Sequence, residues 1–158
     1  MKIKIFRLIL LCVITFALPI SIQQVKAEHN AVMKVKPSHS TAVYESNSKN
    51  SQKLFHTTAN QNVIVHNVAK GGWSYIQDGT RFGYIASSSL DTVKPYRAIT
   101  TAKDTLVRTM PTFEEKAIHT LQKNEFIKAF HYNKQWSIVE FNDKYGYVTG
   151  GKNTNPGQ

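Results

Sequence analysis

The chain has 158 residues and carries 20 Lys and Arg against 10 Asp and Glu, a formal charge of +10. A single cysteine, Cys12, excludes intrachain disulfides, and no run of Lys and Arg marks a nucleic-acid-binding face. Stability must come from packing, and the basic excess points to an anionic surface as partner.

In chain order, Lys2, Lys4 and Arg7 precede a largely apolar run, Leu8 to Ile22, interrupted by Pro19. A short polar stretch then ends at Val25-Lys26-Ala27. A charged head, a short apolar run and V-x-A are the layout of a secretory signal peptide, so cleavage is expected after Ala27. Leu10 and Leu11 are too bulky for a lipoprotein context around Cys12, which reads as filler of the apolar run. Residues 28–158 then hold no thiol, which excludes thiol catalysis and cysteine-ligated metal. They lose four of the 20 Lys and Arg and none of the acids, so +10 becomes +6. No second hydrophobic run reaches spanning length, so the expectation is a secreted protein, extracellular or wall-associated, with no stable membrane insertion after cleavage.

Beyond the signal, the chain repeats itself. "GGWSYIQDGTRFGYIA" and "KQWSIVEFNDKYGYVT" align without a gap at an offset of 63: Trp73 with Trp136, Ser74 with Ser137, Gly83 with Gly146, Tyr84 with Tyr147. The same offset matches Lys53 with Lys116, His56 with His119 and Thr57 with Thr120, so it is expected to hold from about Thr41 to Ala86. The segments read as strands: Val63 to Val65, Glu125 to Phe130, then two hairpins turning at Asp78-Gly79 and Asn142-Asp143. No window keeps helical spacing for three turns, so the fold class is all-β, two tandem small barrels. Gly83 and Gly146 lie inside strands, where glycine implies a close approach; the Trp of the preceding strand is the expected neighbour.

Each unit resembles the bacterial Src-homology-3-like (SH3-like) domain of the type common in secreted Firmicute proteins. The first carries "TAVYESNS", "KL", "GGWSYI", "RFGYI" and "SSSL"; the second carries "TLVRTMP", similar to that family's L-x-V-R-x-x-P signature, then "AIHTL", "QWSIVEF" and "KYGYV". The match covers most of the chain from about Ala31 to Thr149. After the expected signal peptide at 1–27, the chain then divides into a first barrel at 31–91, a second at 97–152 and a polar tail at 153–158, with a Pro95-containing linker from Asp91 to Arg97 joining a semi-rigid pair. Where the family has Gly before the third strand, this chain has Asn60 or Gln61, and Asn124, and Asn also tolerates the left-handed conformation. Glu45 stands against Arg108, and Ser48 against Pro111. The polar loop "ESNSKNSQK" contrasts with "RTMPTFEEK", which carries Met110, Pro111 and Phe113.

Chemistry beyond binding is hard to find. His29, His39, His56, His66, His119 and His131 lack the spacing of a metal set, so no metal and no cofactor is expected. Glu114 and Glu115 are adjacent, and on a strand would face opposite ways. Ser87 to Ser89 lack the glycine-framed elbow of a nucleophilic serine. What remains is aromatic. Trp73 and Tyr75 share one strand face, while Ile76, Ile85, Val139 and Val148 suit the buried one. Trp73 with Tyr44, Tyr75 and Tyr84, and Trp136 with Phe113, Tyr132 and Tyr147, are then either core plugs or the walls of two ligand grooves. The resemblance implies a non-catalytic module for cell-wall peptidoglycan or its peptides. The alternative is an extracellular protein–protein module, or the regulatory partner of a wall hydrolase.

Overall fold

The computed structural model describes residues 30–36, 40–100 and 104–150. The expected signal peptide, residues 1–27, and the expected polar tail, residues 153–158, lie outside the described residues.

The first sheet contains β1 (Ala31–Val35), β2 (Thr41–Tyr44), β3 (Lys53–Thr57), β4 (Asn62–Ala69), β5 (Trp73–Asp78), β6 (Arg81–Ala86) and β7 (Leu90–Thr92). The second contains β8 (Tyr96–Ile99), β9 (Thr105–Arg108), β10 (Ala117–Leu121), β11 (Phe126–His131), β12 (Trp136–Phe141) and β13 (Lys144–Thr149). The sheet orders are β3-β2-β6-β5-β4-β1-β7 and β10-β9-β13-β12-β11-β8, the same topology strand for strand apart from β7. Every strand pairing among the described residues is antiparallel. Only the three residues Ser87–Ser89 are helical among the described residues, as one 3-10 turn.

Two small all-β units are therefore present, but neither is a closed barrel. In the first, β7 takes the outer edge of β1, pairing Lys34 with Asp91 and Val35 with Leu90, so β3 at the far end has no strand to close against. Each sheet instead curls over its own apolar interior. Val35, Val43, Val63, Val65, Ile76, Ile85 and Leu90 fill the first, and Val107, Leu121, Ile127, Ala129, Val139 and Val148 the second. The expected buried set, Ile76, Ile85, Val139 and Val148, is all inside.

The turns follow their residues. Gly79 takes φ 66°, and Asn142 and Asp143 take 45° and 57°, the left-handed conformations a tight hairpin needs. Asn60 and Asn124, at φ 61° and 66°, occupy the positions where glycine was expected. The close approach to Gly83 and Gly146 comes from a different neighbour than the Trp expected from sequence. A Cβ on Gly83 would stand 2.9 Å from the Tyr44 carbonyl oxygen, and one on Gly146 2.9 Å from that of Arg108. Strands β2 and β9 cross the hairpins there, pairing Tyr44 with Tyr84 and Arg108 with Tyr147.

Those pairings also correct the repeat. Tyr44 and Arg108 are equivalent, as are Val65 opposite Ile76 and Ala129 opposite Val139, so the offset is 64 through the first half of each unit. From Asn67 opposite Tyr75, matched by Phe130 opposite Ile138, it is 63. The extra residue is His66, in a β-bulge between Val65 and Asn67. Lys53/Lys116, His56/His119 and Thr57/Thr120 are thus neighbours in register and not counterparts. Arg108 answers to Tyr44, not to Glu45.

Candidate functional site

Strand alternation puts Trp73, Tyr75 and Gln77 on one face of β5 and Ser74 and Ile76 on the other. Across the hairpin Tyr75 faces Tyr84 and Gln77 faces Phe82, and Tyr44 pairs with Tyr84 from the opposite side. The outer face of the first sheet is consequently a band of rings. Tyr44 meets Trp73 edge-on at 5.5 Å, Tyr75 meets Tyr84 at 5.0 Å, and Phe82 stacks on Tyr75 at 6.3 Å. All five are half-buried.

The bulge adds a sixth ring. His66, swung out of the ladder, lies 6.0 Å from Phe82 and 6.4 Å from Tyr75, and its Nε2 is 3.0 Å from Gln77 Oε1. Bulges redirect a side chain in this way because two residues oppose one across the ladder. On the opposite side of the hairpin Arg81 lies 4.3 Å over Phe55, which packs against the first core, and donates to Asp78 Oδ2 at 2.7 Å.

The matching face of the second unit carries Trp136 and Ile138 on β12, Tyr147 on β13 and Phe130 on β11. It is spent on docking: these four form one apolar cluster with Val32 and Ile64 of the first unit. Trp136 is 4% exposed and Tyr147 fully buried, whereas their counterparts Trp73 and Tyr84 remain half-open. Phe113, 62% exposed, lies 5.2 Å from Trp136 as an outer flap. Tyr132 stands edge-on to Tyr147 at 5.1 Å.

Polar contacts fasten the dock. Asn62 Nδ2 donates to the His131 carbonyl at 2.6 Å, Gln61 Nε2 to that of Tyr132 at 3.3 Å and Gln77 Nε2 to that of Thr109 at 2.9 Å. The Tyr132 hydroxyl donates to Asp78 Oδ1 at 3.2 Å, so the buried Asp78 carboxylate is held by an Arg and a Tyr. Burial, with the Asp78 charge second, pushes the Tyr132 phenol well above its usual range. Burial does the same to Tyr147. The Tyr147 hydroxyl lies near the Gly79 backbone but makes no hydrogen bond.

Of the eight residues singled out from sequence, the structure brings Tyr44, Trp73, Tyr75 and Tyr84 together on one half-open face. Trp136 and Tyr147 are buried in the cluster between the units and Tyr132 packs against it, while exposed Phe113 touches only the Trp136 ring of its own unit. The reason is tertiary: one unit's outer face covers part of its neighbour. Phe82 and His66 were missed. Phe82 sits two residues before Tyr84 and so on the same face, a signal available in the sequence. His66 could have been found by matching "TAV" with "TLV" at an offset of 64 and asking where the extra residue goes. The face offers ring surfaces for stacking on flat or apolar ligand groups, with phenol, indole and imidazole groups for hydrogen bonds.

No protein-family model matches the chain, and no curated protein matches it. Among solved structures it is similar to NlpC1 of Trichomonas vaginalis, at 12% identity and TM-score 0.41, over 78% of this chain and 45% of that one. It is likewise similar to NlpC2 of the same organism, at 13% identity and TM-score 0.41, over 76% and 46%. The chain therefore spans less than half the length of these two chains.

Proposed function

We propose that this chain is a secreted, non-catalytic binding protein of two bacterial SH3-like units that recognises cell-wall peptidoglycan or its peptides. The ligand lies on the aromatic face of the first unit, across Tyr44, Trp73, Tyr75, Phe82 and Tyr84. The second unit acts as a buttress. One observation carries this reading: the Trp and Tyr of the duplicated face are buried in the second unit as Trp136 and Tyr147 and left half-open in the first as Trp73 and Tyr84. Keeping a band of rings in contact with water costs hydrophobic burial that the twin unit obtains, so the open copy is explained by an occupant. The charge of +6 on residues 28–158 suits an anionic wall polymer.

The test is co-sedimentation of residues 28–158 with purified peptidoglycan at low and moderate salt. Wild type is expected in the pellet, and Trp73→Ala, with its circular dichroism unchanged, in the supernatant. Wild-type protein that stays in the supernatant at both salts refutes wall binding. Clearing of a peptidoglycan gel by the pure protein refutes the non-catalytic reading.

A further inference from the structure

The most constrained polar group on the aromatic face is His66, and the constraint begins in the other unit. Gln77 is 4% exposed, and its Nε2 donates to two carbonyls, Gly79 O at 2.9 Å and Thr109 O at 2.9 Å. A carbonyl cannot donate, so the amide nitrogen must be the atom between them, and Oε1 must face His66. Oε1 can only accept. The Nε2 of His66, 3.0 Å away, therefore carries the proton. In the neutral imidazole this leaves Nδ1 as a lone-pair acceptor. Nδ1 makes no hydrogen bond among the described residues and is not fully buried, on a half-buried side chain. The ring sits beside Tyr75 and Phe82, at the end of the band, on a bulge residue that the second unit lacks.

From this we infer that His66 determines polar specificity on the aromatic face. Its Nδ1 accepts a hydrogen bond from a ligand donor, an amide N–H or a hydroxyl, whose flat or apolar flank stacks on Tyr75 and Phe82. An acceptor-only group, such as a carboxylate or phosphate, is turned away at this point by lone-pair repulsion. The docked second unit enters through the Thr109 carbonyl, which fixes the orientation of Gln77 and with it the tautomer of His66. This inference rests on the proposed function, because it assigns chemistry to the same face.

The experiment uses residues 28–158 labelled with nitrogen-15, and muropeptides released by enzymatic digestion of purified peptidoglycan. In free protein the imidazole spectrum is expected to show the Nε2–H tautomer; an Nδ1–H tautomer overturns the inference without any ligand. On adding muropeptides the Nδ1 resonance should move upfield, as an accepting nitrogen does, and an unmoved resonance in saturated protein overturns it too. His66→Phe keeps a ring against Tyr75 and Phe82 but has no acceptor, and should weaken binding about tenfold. His66→Gln restores a donor to Gln77 and an acceptor to the ligand, and should stay within about threefold of wild type. His66→Phe that binds like wild type while Trp73→Ala does not would sink the role of His66 and leave the proposed function standing. Absence of wild-type binding removes both. N-acetylglucosamine oligomers and a free stem peptide, titrated separately, tell whether the donor comes from sugar or peptide.

Discussion

Trp73 and Trp136 occupy identical places in a duplicated hairpin, each opposite the residue after a Tyr-Ile or Tyr-Val pair, yet their truncation should have unlike consequences. Trp136 is 4% exposed, inside the apolar cluster joining the two units, and in ring contact with Phe113. Removing a buried indole leaves a cavity that rigid strands cannot close, so Trp136→Ala should cost about 3–5 kcal/mol. Trp73 belongs to none of the three buried clusters and touches Tyr44 edge-on. Trp73→Ala loses one ring pair and part of a half-covered surface, about 1–2 kcal/mol. Equilibrium urea unfolding followed by far-ultraviolet circular dichroism reads the difference. Fluorescence supplies an internal check, because each variant keeps one tryptophan: Trp73→Ala should emit at the shorter wavelength of buried Trp136, and Trp136→Ala at the longer one of Trp73. Equal stability losses, or coincident emission maxima, would refute the division of the duplicated face into a docked copy and an open one.

Two further outcomes concern the dock. A Cβ on Gly79 would run into the Tyr132 hydroxyl and reach within 3.5 Å of Pro111, at a backbone φ of 66° that L-residues disfavour. Gly79→Ala should therefore cost about 2 kcal/mol or more and separate the units, seen as loss of contacts between Tyr132 and Asp78 in nuclear Overhauser spectra; a variant with wild-type midpoint and contacts would contradict the wedge. Tyr132 and Tyr147 have phenols raised above their ordinary value of 10.0. Their contribution to stability is complete below about pH 10 and is lost as pH rises beyond it, since the unfolded chain releases those protons first. Each such tyrosine should steepen the decline by about 1.4 kcal/mol per pH unit, and the double variant Tyr132→Phe, Tyr147→Phe should flatten it. An unchanged alkaline slope in that variant would show that burial of these phenols is not the cause.

Much of the architecture is local and could be read from residue order. Asp78-Gly79 and Asn142-Asp143 specify hairpins because few other residues accept positive φ, and Asn60 and Asn124 end strands for the same reason. Alternation decides that Ile76, Ile85, Val139 and Val148 point inward, since a strand with one buried face has no other register. Glycine at 83 and 146 announces a close approach, although which strand approaches depends on β2 and β9 crossing from elsewhere in the chain.

The use of the aromatics was decided above that level. Two nearly identical hairpins carry the same rings at the same spacing, and alternation predicts the same outer face for both. Only docking distinguishes them. Val32 and Ile64 of the first unit meet Phe130, Trp136, Ile138 and Tyr147 of the second, so one copy becomes interior and the other stays surface. Burial is a property of what lies on the far side of a side chain, and strand periodicity describes only the near side. His66 shows the same limit at smaller scale. A gapless repeat hides a bulge, because an inserted residue matters through the partner strand it no longer pairs with, and pairing is fixed only when the sheet is assembled.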